Sequence, residues 1–283
     1  MEAQLSMDKM IILKKIVEII NQLSDHITII CTIYGLEMNL ITQDLVAIVS
    51  IRLKAESFFT LYRVKKEEEE EEEETATAVG IPLHVKVEEL YKILKNALKL
   101  KNHWENMEIK LLSENNTFID FNLLDKKGKK TSCFQMKLMD IQGQNFIDGQ
   151  NPIDSEIFNY KAEVPADCFA NICDVVNDFS KFVSISAYKN KLIFESVGEV
   201  VDLSKVCTKF KFKNPIPLPN KFQKNFSCDY LKKFSQLSTL SPIVTFGFSL
   251  GCNYSKDSPL NIHYSNSDQG LFIDFLLASQ LEL

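Results

Sequence analysis

The chain has 283 residues, of which 45% are hydrophobic and 25% charged, and its formal net charge is −6. This composition is typical of an ordinary globular protein, and the length is sufficient for two domains of common size. It argues against a membrane protein, because apolar runs such as residues 27–34 are too short to cross a bilayer, and the first residues lack the order of a signal peptide. We therefore expect a protein that stays inside the cell.

The seven cysteines and four histidines predict neither a disulfide framework nor a metal site. The cysteines form no CxxC pair and the histidines form no cluster. An odd number of cysteines in a chain without export signals favours reduced, mostly buried thiols. We expect no structural metal and no cofactor.

A run of eight glutamates, Glu67 to Glu74, dominates the charge balance. Without those eight charges the net charge of −6 becomes +2. A block of like charges repels itself and stays solvated. We expect residues 65–79 to be an acidic surface insertion between a strand and a helix. The alternative, an acidic lure for basic partners or a mimic of nucleic acid, stays open.

In the first half of the chain, apolar spacing predicts two amphipathic helices, Met7 to Ser24 and about Val87 to Lys101. Strands are expected at about 27–34, 36–41, 44–53, 57–64, 107–113, 117–124 and 132–141. The expected buried faces are Ile12, Ile16, Ile19, Ile20 and Leu23, then Val87, Leu90, Tyr91, Leu94 and Leu98. The second helix would present Lys92, Lys95 and Lys99 on one solvent face.

The second half repeats this order of elements. A helix opens at Pro165-Ala-Asp167 and buries Phe169, Ile172, Cys173, Val176 and Phe179. A fourth helix, Cys228 to Leu237, buries Leu231 and Phe234. Strands are expected at about 182–188, 190–198, 242–250, 259–265 and 270–278.

Helices and strands occur in blocks rather than in strict alternation, which favours antiparallel sheets. We predict an α+β fold of two similar domains, each with two helices on one face of antiparallel sheets. The predicted boundaries are 1–140 for the first domain, 141–159 for a connector and 160–283 for the second domain.

Five short stretches carry a family resemblance that covers nearly the whole chain. They are Ile12-Leu-Lys-Lys15, Tyr91-Lys-Ile-Leu-Lys95, Gln135-Met-Lys-Leu-Met-Asp140, Asp167-Cys-Phe-Ala-Asn-Ile-Cys173 and Leu240-Ser-Pro-Ile-Val-Thr245. In this order they resemble sliding clamps of the proliferating cell nuclear antigen (PCNA) type. The resemblance implies the DNA clamp fold, in which three subunits close into a ring whose helices surround duplex DNA. The acidic insertion and an altered docking region are typical of a divergent cellular or viral copy.

The resemblance implies that lysines on the helix faces bind double-stranded DNA. A protein that travels along DNA needs phosphate attraction spread evenly, without base contacts that would pin it. The expected DNA-binding residues are Lys14, Lys15, Lys92, Lys95, Lys99, Lys232 and Lys233. The third helix departs from the family pattern, because Asn171, Asp174 and Asp178 stand where the family is basic. We therefore expect a weaker grip on DNA that is more sensitive to salt.

The resemblance also implies a subunit interface between two sheet edges, at about 133–138 and 199–206. Open edges invite an added strand, and a head-to-tail contact of the correct angle closes into a ring. The expected interface residues are Phe134, Met136, Val200 and Leu203. The second stretch matches the family poorly, so a subunit of a heterotrimeric checkpoint-type clamp remains the alternative to a homotrimer.

The connector region is the implied docking site for DNA polymerase and other proteins with a PCNA-interacting motif. In that motif a glutamine precedes a helical turn that bears aliphatic and aromatic anchors. The expected pocket residues are Ile41, Leu45, Phe146, Ile147, Pro259 and Leu276. The competing interpretation is that Ile41, Leu45 and Leu276 are merely core residues.

These inferences predict a DNA polymerase processivity factor that tethers replication and repair enzymes, depends on a clamp loader and performs no chemistry. It would act in the nucleus, or at a cytoplasmic replication site if viral. A remote enzyme alternative rests on Gly247-Phe-Ser-Leu-Gly251, which matches the GxSxG pattern of hydrolases. That motif needs a helix after the serine, then an acid and a histidine. Asp257 and His263 follow, but no helix pattern does, so we expect no catalytic residue.

Overall fold

The computed structural model describes residues 1–64, 80–112, 117–139, 158, 160–188, 191–197, 201–207, 210–213, 222–249 and 259–280. The α-helices are α1 (Met7–Ile20), α2 (Ala55–Phe58), α3 (Val87–Lys99), α4 (Ala166–Phe179) and α5 (Cys228–Ser235). The strands of the first half are β1 (Glu2–Ser6), β2 (His26–Thr32), β3 (Gly35–Ile41), β4 (Ala47–Lys54), β5 (Leu61–Arg63), β6 (Ile81–Lys86), β7 (Asn106–Leu112), β8 (Phe118–Leu124) and β9 (Lys130–Lys137). Those of the second half are β10 (Tyr160–Pro165), β11 (Phe182–Tyr188), β12 (Lys191–Val197), β13 (Asp202–Cys207), β14 (Lys211–Phe212), β15 (Phe222–Ser227), β16 (Ile243–Phe248), β17 (Leu260–Asn266) and β18 (Leu271–Leu277).

The four long helices each follow a strand without an intervening residue. β1 leads into α1, β6 into α3, β10 into α4 and β15 into α5. Among the described residues, three strands follow α3 and α5, and four follow α1 and α4 before the next leading strand. A pattern of strand, helix and at least three strands therefore occurs four times. Three of the leading strands, β1, β6 and β10, have the alternation of a half-buried strand. In β1, for example, Ala3 and Leu5 are fully buried between polar neighbours.

The chain divides into two compact units, and the first comprises Met1–Leu40, Ser50–Gln150 and Ser267–Leu271. In this unit the leading strands of the two repeats are exchanged. β1 pairs with β7 of the second repeat, which gives the strand order β5-β1-β7-β8-β9. β6 pairs with β2 of the first repeat, so that four strands lie in the order β6-β2-β3-β4. Both pairings are antiparallel.

The second unit comprises Ile41–Val49, Asn151–Asn266 and Phe272–Leu283, and it follows the same plan. β10 pairs with β16, so that five strands lie in the order β14-β10-β16-β17-β18. β15 pairs with β11 and completes the order β13-β12-β11-β15.

Each unit has a pair of helices packed on its sheets. In the first unit α1 contacts α3, and in the second α4 contacts α5. Aromatic rings fill much of the second core: Phe169 of α4 meets Phe246 edge to face at 5.0 Å, and Phe234 of α5 stacks on Phe275 at 4.0 Å. Such pairs contribute about 0.5–1.5 kcal/mol each beyond the area that they bury. The α+β class with mostly antiparallel sheets is therefore confirmed.

The structure corrects several details of the predicted elements. The strand expected at 57–64 is wrong in its first part, because Ala55–Phe58 forms the one-turn helix α2. Phe179 ends α4 with 46% of its side chain exposed, so its expected burial is also wrong. Tyr91 and Leu98 are only half-buried, since the Tyr91 hydroxyl reaches out to Glu18. The strands β1, β6, β10, β14 and β15 were not predicted.

Four of the six described cysteines are buried, Cys168 is half-buried and Cys133 is exposed. Among the residues that the structure describes, no helix is both long enough and apolar enough to cross a membrane.

Candidate functional site

The predicted DNA-binding lysines of the first unit lie on the solvent faces of α1 and α3. Tyr91 joins the two helices, since its hydroxyl donates a hydrogen bond to Glu18 at 3.2 Å. The ammonium groups of Lys14 and Lys95 lie 5.3 and 5.6 Å from the centre of the Tyr91 ring. These are cation–π distances, and they hold both lysines beside the ring.

Several of these lysines have acidic partners on the same helix. Lys14 lies 2.8 Å and Lys15 3.7 Å from Glu18. Burial raises the pKa of Glu18, but its hydrogen bonds and charge contacts with Lys14 outweigh this and keep that pKa below its ordinary value. Lys92 contacts Glu88 at 2.8 Å. These carboxylates offset part of the positive charge that the sequence predicted for this surface.

Lys95 and Lys99 differ from these lysines. Both are exposed on α3, and across the described part of the chain neither forms an ion pair with a carboxylate. Among the predicted DNA-binding lysines of this unit, Lys95 and Lys99 are therefore the two whose charge no described carboxylate offsets.

In the second unit the helix surface is mixed in charge. Asn171, Asp174 and Asp178 are exposed on α4, as the sequence predicted. Lys232 of α5 lies 3.8 Å from Asp174, and Lys233 lies 2.7 Å from Asp229. Both predicted lysines of α5 are therefore partly neutralised, and the partner of Lys232 was not predicted.

The two predicted interface strands are both at sheet edges. β9 pairs only with β8 and β13 only with β12 within the described residues. On β9, Phe134 is half-buried and Met136 is buried inside its own unit, so Met136 offers little side-chain surface to another subunit. On β13, Leu203 is half-buried, whereas Val206 is 47% exposed. Val200 lies outside the described residues.

An exposed apolar stripe near the second edge was not predicted. α4 packs against β12 and β13, and its Val175 and Phe179 side chains are 37% and 46% exposed. They are four residues apart, which places them on one face of the helix. The apolar spacing of α4 continues to its last residue, and this is why Phe179 was predicted to be buried.

The predicted docking pocket can be described in part. Ile41 at the end of β3 is 41% exposed, and Leu45 in the following loop is 77% exposed. Pro259 and Leu276 are half-buried. Ile41 and Leu45 are therefore not core residues in the chain itself, which removes the competing interpretation for these two. Phe146 and Ile147 lie outside the described residues, as does nearly all of the predicted connector.

The loop that carries Leu45 has a defined geometry. The Leu45 amide donates to the Thr42 carbonyl at 2.9 Å, and the Ala278 amide, just after β18, donates to the Val46 carbonyl at 2.9 Å. Tyr230 of α5 donates its hydroxyl hydrogen to Asp44, whose two carboxylate oxygens are both 2.8 Å away. These contacts place the loop against the end of β18 and the first turn of α5.

The serine of the GxSxG pattern does not have a hydrolase geometry. Ser249 is only 3% exposed and directly follows β16. His263 lies opposite Thr245, which is four residues before Ser249 and so roughly 13 Å away along an extended strand. The partner of His263 is Asp274, with Nδ1 and Oδ1 2.8 Å apart. The acid of the predicted motif, Asp257, lies outside the described residues, as does Gly251.

Both halves of the chain match family models in the order of the two units. The model described as "Proliferating cell nuclear antigen, N-terminal domain" matches residues 1–146, and "Proliferating cell nuclear antigen, C-terminal domain" matches residues 153–280. The chain belongs to the proliferating cell nuclear antigen family. The resemblance seen in the five short stretches is therefore confirmed.

Individual relatives of the PCNA family match over almost their full length at low identity. The chain is 24% identical to "Proliferating cell nuclear antigen" of Caenorhabditis elegans, over 96% of this chain and 94% of the relative. It is also 24% identical to "Proliferating cell nuclear antigen" of Dictyostelium discoideum, over 96% of each chain. A "Probable DNA polymerase sliding clamp" of Autographa californica nuclear polyhedrosis virus is 23% identical, over 94% of this chain and 91% of the relative.

Proposed function

We propose that this PCNA-family chain is a DNA sliding clamp, a processivity factor that encircles duplex DNA and tethers DNA polymerase to its template. The observation that carries the proposal is the match of both halves of the chain, in order, to the two halves of the family. A tether raises the effective concentration of an enzyme at its template without chemistry of its own. Accordingly, no residue is assigned a catalytic role.

The proposed contact with DNA is made by the lysines of α1, α3 and α5. Lysine attracts phosphate as a mobile point charge, which suits a protein that must not stop at any base sequence. Lys95 and Lys99 make the largest contribution because neither is ion-paired within the described residues. Asp174 and Asp178 on α4 oppose phosphate, so the attraction is uneven around the ring.

The proposed ring forms by addition of the β9 edge of one subunit to the β13 edge of the next. Both edges lack a second neighbour among the described strands. Exposed Val206, together with the α4 stripe of Val175 and Phe179, supplies apolar area beside one edge. A homotrimer is the proposed assembly. Sedimentation of the pure protein tests it, because a persistent monomer would favour a mixed ring with related subunits.

The proposed partners are DNA polymerase, other replication and repair proteins with a PCNA-interacting motif, and a clamp loader. Exposed Ile41 and Leu45 support a docking surface for the motif's apolar anchors. The proposed domains are residues 1–140 and 160–283, joined by the connector 141–159. The proposed site of action is the nucleus, or a cytoplasmic replication site for a viral copy.

Primer extension tests the proposed function. The protein and its loader are added to a polymerase on a primed circular template, and product length is measured. Longer products are expected on the circle, and the gain should disappear after the template is cut, because a ring slides off a free end. Equal stimulation on both templates, or none on the circle, would contradict the proposal.

A further inference from the structure

The loop between β3 and β4, residues Thr42–Val46, holds a leucine in an unusual backbone conformation. Leu45 has φ of 59°, in the left-handed region that residues with a side chain rarely adopt. Such a conformation costs roughly 1–2 kcal/mol. The Leu45 side chain is 77% exposed, so burial of that side chain does not offset the cost. Strain of this kind persists only where neighbouring groups determine the conformation.

Hydrogen bonds within the loop contribute to holding Leu45 in this conformation. The Thr42 hydroxyl donates to Asp44 Oδ1 at 2.7 Å and accepts from the Ala47 amide at 2.9 Å. The Val46 amide donates to the same Asp44 oxygen at 3.2 Å. The Asp44 carboxylate thus accepts hydrogen bonds from residues on both sides of Leu45 and holds the two ends of the loop together.

Tyr230 fixes this carboxylate from outside the loop. Its hydroxyl carries one hydrogen and lies 2.8 Å from both Asp44 oxygens, so the hydrogen is shared between them. Burial alone would raise the pKa of Asp44, but hydrogen bonds from Thr42, Tyr230 and the Val46 amide hold it below its ordinary value. The acceptor is therefore ionised at neutral pH, and hydrogen bonds to ionised groups are the stronger kind.

The Tyr230 ring is anchored independently of its hydroxyl. Its centre lies 5.9 Å from the Phe234 ring and 5.2 Å from the Lys233 ammonium group. The ring consequently has a fixed position on α5 from which the hydroxyl can hold Asp44. Removing the oxygen alone should leave these ring contacts in place.

We propose that Tyr230 is a positioning residue for partner binding: by holding Asp44, its hydroxyl fixes the Thr42–Val46 loop so that Leu45 is presented to the partner's apolar anchors. This inference rests on the proposed docking function. It adds to that function a residue on α5 that contacts the loop and acts through it. A loop ordered in advance does not lose conformational freedom when the partner binds, which strengthens binding.

The contact should affect binding more than folding. Asp44 is exposed, and hydrogen bonds and ion pairs at exposed positions contribute little to global stability. The conformation of the loop, in contrast, decides where the Leu45 side chain points. A purely structural role for Tyr230 would instead lower the thermal midpoint and leave peptide affinity unchanged.

The test measures binding of a fluorescein-labelled peptide that carries a glutamine followed by a helical turn with one aliphatic and two aromatic anchors. Tyr230→Phe is expected to weaken binding about three- to tenfold, with little change in thermal midpoint. Tyr34→Phe is the matched control, because it removes a hydroxyl from a tyrosine that is 70% exposed in the β2–β3 turn. This control should bind as the unaltered protein does.

A double variant separates positioning from direct contact. If Tyr230 acts through Leu45, Tyr230→Phe should cause no further loss of affinity in a Leu45→Ala background. Hydrogen exchange in the free protein should also be faster at the Leu45 and Val46 amides of Tyr230→Phe. Unchanged affinity or exchange in Tyr230→Phe, or additive losses in the double variant, would overturn the positioning role alone. Absence of peptide binding by the unaltered protein would overturn the docking function and the positioning role with it.

Discussion

Lysines on the helix faces of this protein differ in how much charge they can offer to phosphate. Glu18 contacts both Lys14 and Lys15, whereas Lys95 and Lys99 have no carboxylate partner within the described residues. A lysine that gives up an acidic partner to meet phosphate gains less than one that is already unpaired. On the proposed DNA surface, the acidic residues of the helices therefore reduce affinity by offsetting part of the lysine charge.

Replacement of Glu18 by glutamine should strengthen DNA binding. Glu18→Gln removes the negative charge beside Lys14 and Lys15, and we expect about two- to fivefold tighter binding to a short duplex at low salt. The gain should decrease as salt is added, because salt screens the freed charges. Fluorescence anisotropy at several salt concentrations measures this effect.

Glu2→Gln is the control for Glu18→Gln. Glu2 lies on β1 and contacts Lys110, on the sheet face opposite buried Ala3 and Leu5. The Glu2→Gln replacement removes one negative charge, as Glu18→Gln does, but at a position that is not on a helix. Equal gains in affinity from both replacements would indicate a general effect of net charge and contradict the assigned DNA surface.

A second residue, Glu108 of β7, should make the free energy of unfolding depend on pH in the acidic range. Burial raises its pKa, but hydrogen bonds from Lys110 and Asn122 and the charge of Lys110 outweigh this and lower it below the ordinary 4.5. A carboxyl group whose pKa is lowered by folding stabilises the fold at pH values above its ordinary pKa. This stabilisation is lost as the pH falls through the pKa of the folded state. Glu108→Gln should therefore cost about 1 kcal/mol at neutral pH and less in acid.

Urea unfolding at about pH 7 and about pH 3.5 compares the two proteins. The difference in unfolding free energy between Glu108→Gln and the unaltered chain should shrink in acid. Glu56→Gln, which changes an exposed carboxylate of α2, should leave the acid dependence as it was. A constant difference at both pH values for Glu108→Gln would refute the assignment.

At the scale of elements, the edge strand β13 makes a specific prediction for assembly. A lysine in place of Val206, which is 47% exposed, would put a charge where the neighbouring subunit is proposed to add its strand. Val206→Lys should shift sedimentation from trimer towards monomer. Ile33→Lys, at a position 44% exposed in the β2–β3 turn, should sediment unchanged. Trimers of undiminished stability in Val206→Lys would place the interface elsewhere.

The sequence was sufficient to predict the four long helices and most strands. Each helix was predicted to begin within one residue of its observed start, because the amphipathic spacing begins abruptly there. The strands before the helices were missed because each has only five or six residues, about half of them polar. Two buried residues in such a segment are a weak signal.

The candidate site was less predictable than the fold. Pairs such as Lys14 with Glu18 are four residues apart and could have been inferred from the sequence. Contact between Lys232 and Asp174 could not, because it depends on how α4 and α5 pack. The left-handed conformation of Leu45 was also hidden, since leucine is not a residue that favours such turns.

At the scale of the whole molecule, the proposed ring should be retained on DNA by topology rather than by charge. Once loaded on a closed circle, the protein should remain bound through a wash at about 0.5 M salt, where phosphate attraction is largely screened. The same wash after linearisation should release it. Gel filtration of the DNA with labelled protein measures the retained fraction. Equal loss from circle and linear DNA would mean that the protein does not encircle it.

The exchange of leading strands in the first unit also has a consequence during synthesis on the ribosome. Strand β1 takes its place beside β7, and β6 returns to lie beside β2. Residues 1–64 therefore cannot complete either set of strands when they leave the ribosome. Their apolar faces stay exposed until the segment that ends with β9 has been synthesised. Nascent chains stalled before that point should resist digestion poorly, whereas separate polypeptides covering the two repeats should complement each other when mixed.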